Sequence, residues 1–211
     1  MESMKQQLAG LGAALLLLGS CNTNGSLTTS GLNPTAFDTT INGKKVELYT
    51  LTNGKGMEVC LTNYGGRVVS ISVPDKNGKA TDVVLGYDNI KQYADTLNSP
   101  SDYGSSVGRY ANRIKDAVLH IGDKSYQLKA NDNGNCLHGG GTTGWLNKVY
   151  DVQSVTDSSI VFAMTAPDGE NGFPGTVKAT ATYTVKSNNT LDIVFSATTD
   201  KGTAIPTTTP S

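Results

Sequence analysis

The longest strictly alternating stretch of the chain, Thr176-Val177-Lys178-Ala179-Thr180-Ala181-Thr182-Tyr183-Thr184-Val185, admits one regular conformation. Side chains that switch faces at every residue make a half-buried β-strand, and no helix places them so. Shorter β-branched or aromatic runs stand at residues 46–51, 57–62, 68–73, 83–85, 125–128, 149–155, 159–165 and 190–197. Turn pairs punctuate them, among them Asn42-Gly43, Asn53-Gly54 and Asn77-Gly78, which are strong hairpin signals. Helical periodicity is not sustained anywhere, although residues 89–96 suit a turn or two. Many strands at short spacing predict an all-β fold, an antiparallel sandwich or barrel.

The chain has 211 residues, 37% hydrophobic and 17% charged, which suits one globular domain. A formal net charge of −1 with no basic run gives no electrostatic case for nucleic acid or for an anionic membrane surface. Its two His and three Cys show no metal-ligand spacing, so no zinc site is expected.

The amino terminus follows different rules. A polar start with Lys5 leads into an apolar run from Leu8 to Leu18, too short to span a bilayer comfortably. It reads as an export signal over residues 1–20. Its end, Leu18-Gly19-Ser20-Cys21, resembles the lipobox of bacterial lipoproteins, in which the Cys is cleaved free and lipidated. The expectation is an exported, membrane-anchored lipoprotein on the periplasmic or cell-surface side, with an ordinary cleaved signal as the alternative. Residues 21–36, poor in apolar side chains over most of their length, suit a flexible tether. Export would permit a disulfide between Cys60 and Cys136, but Cys60 lies in an apolar strand pattern, and two buried free thiols are expected.

Three irregular segments interrupt the strands. Residues 88–113 lead into Gly108-Arg109-Tyr110-Ala111-Asn112-Arg113-Ile114, and residues 130–147 hold Leu137-His138-Gly139-Gly140 and the lone Trp145. Long irregular segments in a compact domain are usually functional. The Arg113 guanidinium offers planar, permanently charged donors, and His138 lies among glycines that let backbone approach a ligand. Such a pair could hold a polyhydroxylated small molecule. The residues alone equally allow an Arg in a surface ion pair and a His capping a turn. In the third segment, residues 167–175, solvated carboxylates at Asp168 and Glu170 are expected rather than ligand contacts. His120, alternating with Leu119 and Ile121, suits a structural or exposed strand position.

Taken together, Asn63-Tyr64-Gly65-Gly66, the motifs around Arg113 and His138, the Asp168 to Gly175 loop and Ser196-Ala197-Thr198-Thr199-Asp200 resemble the aldose 1-epimerase (galactose mutarotase) family, collinearly over residues 37–200. The resemblance implies a large antiparallel β-sandwich in residues 37–211, with an open sugar cleft. It implies acid/base interconversion of the α and β anomers of aldoses such as galactose and glucose, without metal or nucleotide. It assigns Asn112, Arg113 and His138 to sugar binding, and Arg113 and His138 to catalysis as well, His138 near the ring oxygen. For Trp145, packing is expected.

The family's acid His follows the strand ending near Asp200, in an Asn-His-Ser/Thr-Tyr segment. Here the chain reads Lys201-Gly202-Thr203-Ala204-Ile205-Pro206-Thr207-Thr208-Thr209-Pro210-Ser211. A truncated domain is therefore expected, without that His or the family's base Glu, and with impaired activity. The competing expectation is a sugar-binding lipoprotein that does not turn its ligand over. Oligomeric state is left open.

Overall fold

The computed structural model of the protein describes residues 26–98 and 101–205. The expected signal over 1–20 and Cys21 lie outside those residues. Two hairpins open the chain's sheets. β1 (Thr39–Ile41) and β2 (Lys44–Val46) pair Ile41 with Lys44. Between them Asn42 and Gly43 take φ of 51° and 75°, the doubly left-handed turn that Asn-Gly favours. β3 (Leu48–Thr52), β4 (Glu58–Thr62), β5 (Arg67–Pro74) and β6 (Ala80–Asp82) form a four-stranded antiparallel sheet in that order.

A single turn of helix, α1 (Ile90–Ala94), follows, capped by the Asn89 side chain accepting from the Gln92 N–H. β7 (Arg113–Ile114), β8 (Val118–Ile121), β9 (Lys124–Gln127) and β10 (Cys136–Leu137) make two small ladders, β7 with β10 and β8 with β9. β11 (Asp151–Val155), β12 (Ser159–Ala166), β13 (Val177–Val185) and β14 (Leu191–Thr199) form a second four-stranded antiparallel sheet in chain order.

The two larger sheets face each other across one core, so the fold is the expected antiparallel β-sandwich. β13 buries Val177, Ala179, Ala181, Tyr183 and Val185, the alternating set. Phe162 of β12 sits at the centre, its ring 5.9 Å from Tyr49, 5.9 Å from Tyr183 and 6.5 Å from Tyr150, each edge-on. Such pairs add about 0.5–1.5 kcal/mol each beyond area burial. The first sheet has a second apolar face. Cys60 and Val69 on it are covered by Leu32, Phe37, Ile90 and Tyr93.

That cover alters one expectation. Where described, the segment expected to be a loose tether through residue 36 is bound to the sheet. Thr29 donates through N and Oγ1 to Glu58 at 2.7 Å each, Ser30 and Ser70 share a hydroxyl bond of 2.8 Å, and Leu32 is buried. Two of its hydroxyls, which suggested solvation, bond side chains of the sheet.

Two strand boundaries also differ. The run at 46–51 breaks at Glu47, whose N–H bonds the Asn63 side chain at 3.1 Å in place of a neighbouring strand. The run at 83–85 lies outside any strand. β6 comes earlier because the Asn77-Gly78 turn sets Ala80 opposite Pro74, and Asp82 then accepts from the Ile71 and Val84 N–H groups. Cys60 and Cys136 are free and buried.

The Tyr183 hydroxyl donates to Gly66 O at 2.6 Å and meets Ser106 Oγ at 2.9 Å, joining β13 to the turn after β4. Burial pushes this phenol up to about 12. Below pH 10 both folded and unfolded chains keep the proton. As pH rises from 10 through 12 the unfolded chain loses it first, and stability falls. Burial raises Tyr93 and Tyr150 in the same direction, so the decline is shared. We expect urea midpoints to drop above pH 10, and Tyr183→Phe to make that drop shallower. An equally steep drop in the variant would show that Tyr183 is not among its causes.

Candidate functional site

The two-residue ladder of β7 and β10 sets the candidate residues side by side, pairing Leu137 with Arg113 and Cys136 with Ile114. One step beyond it the chain turns sharply on both sides. Asn112 and His138 take left-handed φ of 64° and 51°, a region that Asn and His tolerate better than most residues. In this conformation they bond each other twice. The His138 N–H donates to Asn112 O at 3.1 Å, and the Asn112 N–H donates to His138 Nδ1 at 3.0 Å. Nδ1 is therefore an acceptor, and the neutral imidazole carries its proton on Nε2. That nitrogen faces the Asp102 carboxylate at 3.4 Å.

Glycine is required next to this pair. A Cβ on Gly139, at φ 74°, would sit 2.2 Å from Gly108 O, and one on Gly108 would sit 2.2 Å from the Trp145 ring. Trp145 itself is buried in the core, the packing role expected of it.

His138 lines a cleft of about 330 Å³ together with Tyr93, Asp102, Lys129, Asn131 and Asn147. This lies at the lower end of the range of about 300–1,000 Å³ usual for small-molecule sites. Asn112 and Arg113 stand exposed beside that lining. Arg113 makes the surface ion pair that its residue type allowed, with Nε 2.6 Å from Asp132 Oδ2. The pairing uses Nε alone. Among the described residues, apart from a 3.4 Å contact from Nη1 to Asn112 Oδ1, no partner takes the terminal nitrogens, which can reach a ligand. The site therefore holds donors of two kinds within one small region.

The Asp168 to Gly175 loop supports the site without entering the cleft lining. Asp168 accepts from the Gly175 N–H at 2.6 Å and pairs with Lys201, which hold its carboxyl below the usual range, Lys201 most strongly. Glu170 pairs with Lys148. Both carboxylates thus bind within the protein rather than standing free in solvent. Asn171 reaches across to the histidine loop, donating to Gly139 O at 2.8 Å and accepting from Thr143 Oγ1 at 2.6 Å. His120 is exposed on β8, 2.9 Å from Ser125 Oγ through Nδ1, and takes no part in the site.

Asp102, Asp132 and Asn171 were not singled out by the sequence as site residues. Each acts through a partner 19 to 36 positions away, and spacing along the chain carries no trace of such pairs. Asn63, from the Asn63-Tyr64-Gly65-Gly66 motif, is structural: its side chain accepts from Glu47 N and donates to Lys45 O and Tyr150 O. Among the described residues, no group of three or more His, Cys, Asp or Glu is placed to hold a metal ion.

Comparison with known proteins shows the family to which this fold belongs. A family model described as aldose 1-epimerase matches residues 47–209. The aldose 1-epimerase of Escherichia coli K12 is 32% identical over 159 residues, 75% of this chain and 45% of that protein. The galactose mutarotase of Mus musculus is 38% identical over 143 residues, 68% and 40% of the two chains. Among solved structures, an aldose epimerase homologue from C. elegans superposes with a TM-score of 0.69 at 34% identity, covering 74% of this chain and 46% of that one. A galactose 1-epimerase from Lactobacillus acidophilus gives 0.67 at 28% identity, covering 78% and 48%. The chain spans less than half the length of these relatives. The match nevertheless covers both large sheets and Asn112, Arg113 and His138, and the chain belongs to the aldose 1-epimerase family.

Proposed function

We propose that the protein binds aldoses such as galactose and glucose in the cleft beside His138 and interconverts their α and β anomers. The observation that carries this reading is the meeting of Asn112, Arg113 and His138 at one point, although 25 or more positions separate His138 from the other two. Membership of the aldose 1-epimerase family supports the reaction type. Mutarotation passes the proton of the C1 hydroxyl to a base, here solvent water, breaks the bond from C1 to the ring oxygen, and places a proton from water on that oxygen. The open aldehyde then rotates, and the ring recloses on its other face by the reverse transfers.

In this site the Nε2 proton of His138 is the donor available to the ring oxygen as charge develops there. The terminal nitrogens of Arg113 and the side chain of Asn112 donate to neighbouring hydroxyl oxygens and fix the sugar's orientation. Each further general acid or base would add roughly 10²–10⁴ in rate, so turnover supported by the described residues alone is slow.

Polarimetry of freshly dissolved α-D-galactose tests this. The protein should accelerate mutarotation above the spontaneous rate, and Arg113→Ala and His138→Ala should each remove about tenfold or more of that excess. Folded protein that binds galactose without accelerating the change would reduce the function to binding, and protein that does neither would overturn the proposal.

Anchoring to a membrane through a lipid on Cys21 belongs to the same proposal. The Leu18-Gly19-Ser20-Cys21 pattern supports it. Metabolic labelling with a tagged fatty acid should mark the wild type but not Cys21→Ser. Label that persists in the variant, or is missing from both, would remove the anchor.

A further inference from the structure

Asp102 lines the same cleft as His138, on the opposite side of the contact between them. Its side chain is 43% exposed, and among the described residues His138 Nε2, 3.4 Å away, is the group that faces its carboxylate. A polar contact this exposed adds little to stability. The backbone that carries it is nevertheless held unusually firmly. Arg67, fully buried, donates through Nη1 to Ser101 O at 3.0 Å and to Tyr103 O at 3.2 Å, the carbonyls on either side of Asp102. The carbonyl of Asp102 itself accepts from Ser105 N at 3.1 Å and Ser105 Oγ at 2.8 Å. Three successive carbonyls are thus fixed, and a buried cation holds two of them. The result is an exposed carboxylate on a rigid mount.

The imidazole is set to meet it. Asn112 N–H occupies Nδ1 and leaves the proton on Nε2, which lies 3.4 Å from Asp102 Oδ2. The 3.4 Å separation exceeds the 2.7–2.9 Å of a strong charge-assisted bond, so a sugar oxygen can compete for that donor.

We propose that Asp102 is a positioning residue for His138, holding the Nε2–H donor aimed into the cleft until a sugar oxygen takes it; the consequence for turnover rests on the mutarotase reading above. The groups facing His138 in this arrangement are Asp102 from the loop after α1 and Asn112 from the turn before β7, with Lys129 across the cleft, bonded to Thr143 Oγ1 at 3.3 Å.

Imidazole proton and nitrogen NMR of the intact protein, without sugar, reads the contact directly. The chain has two His, so His120→Gln assigns the signals. The wild type should show His138 protonated at Nε2 with a slowly exchanging proton. Asp102→Ala should speed that exchange by about tenfold or more, and Asp102→Asn, which keeps an acceptor oxygen, should retain most of the protection. A proton on Nδ1, or equal exchange in wild type and Asp102→Ala, would overturn the proposal.

In polarimetric assays Asp102→Ala should lower kcat about tenfold or more with KM nearly unchanged, and Asp102→Asn should recover much of it. An unchanged kcat in Asp102→Ala would contradict the positioning role. A protected Nε2 proton in a wild type that does not accelerate mutarotation would support the contact and overturn the mutarotase reading instead.

Discussion

Arg67 and Arg109 are buried to 0% and 2% exposure, and among the described residues neither forms an ion pair with a carboxylate. Backbone carbonyls instead take their terminal nitrogens, while among the described residues the buried Nε of each finds no partner. Arg67 gathers Ser101 O, Tyr103 O and Leu146 O, with its guanidinium over the rings of Tyr64 and Tyr93. Arg109 gathers Ala166 O, Pro167 O, Pro174 O and Gly175 O and lies over Phe173. Burial lowers the pKa of both, yet an arginine keeps its charge. A buried cation is costly unless its donors find oxygens, and the bonds that the terminal nitrogens make to carbonyls are worth about 1.5–3 kcal/mol each. Loops that carry those oxygens are thereby drawn to fixed places. The 101–103 and 166–175 segments are irregular in sequence and ordered in structure for this reason.

The cleft is a consequence of that order. The sandwich core supplies a rigid floor, with Trp145 packed on Gly108 and Tyr183 bonded to Gly66. On it the Asn112 and His138 turns lock together by two backbone-directed hydrogen bonds. Asn171 then ties the Asp168 to Gly175 loop to the histidine loop. A neutral imidazole with its proton directed outward and a guanidinium with its terminal nitrogens open make an array of donors. Such an array suits a ligand rich in oxygen acceptors and needs no metal to orient it.

Alternation and turn chemistry made most of the sheets legible from sequence. The face of β13 was plain in residues 177–185, and Asn42-Gly43 closed its hairpin as expected. Boundaries failed where a side chain replaced a strand as partner, at Glu47 with Asn63 and at Asp82 with Ile71. The Ser and Thr hydroxyls of the amino-terminal segment look soluble in isolation, yet Thr29 and Ser30 meet Glu58 and Ser70 on the sheet. At the site, Asn112, Arg113 and His138 stood out because Gly-rich surroundings flag close backbone approach. Asp102, Asp132 and Arg67 did not, since their roles exist only once distant segments meet.

Residue-resolved NMR of the isotope-labelled protein titrated with D-galactose tests most directly whether this array receives a sugar. Saturable shifts should gather at Asn112, Arg113, His138, Asp102 and Lys129, and leave the exposed strand β14 unmoved. No shifts at high sugar concentration, or shifts gathered away from the cleft, would contradict the account.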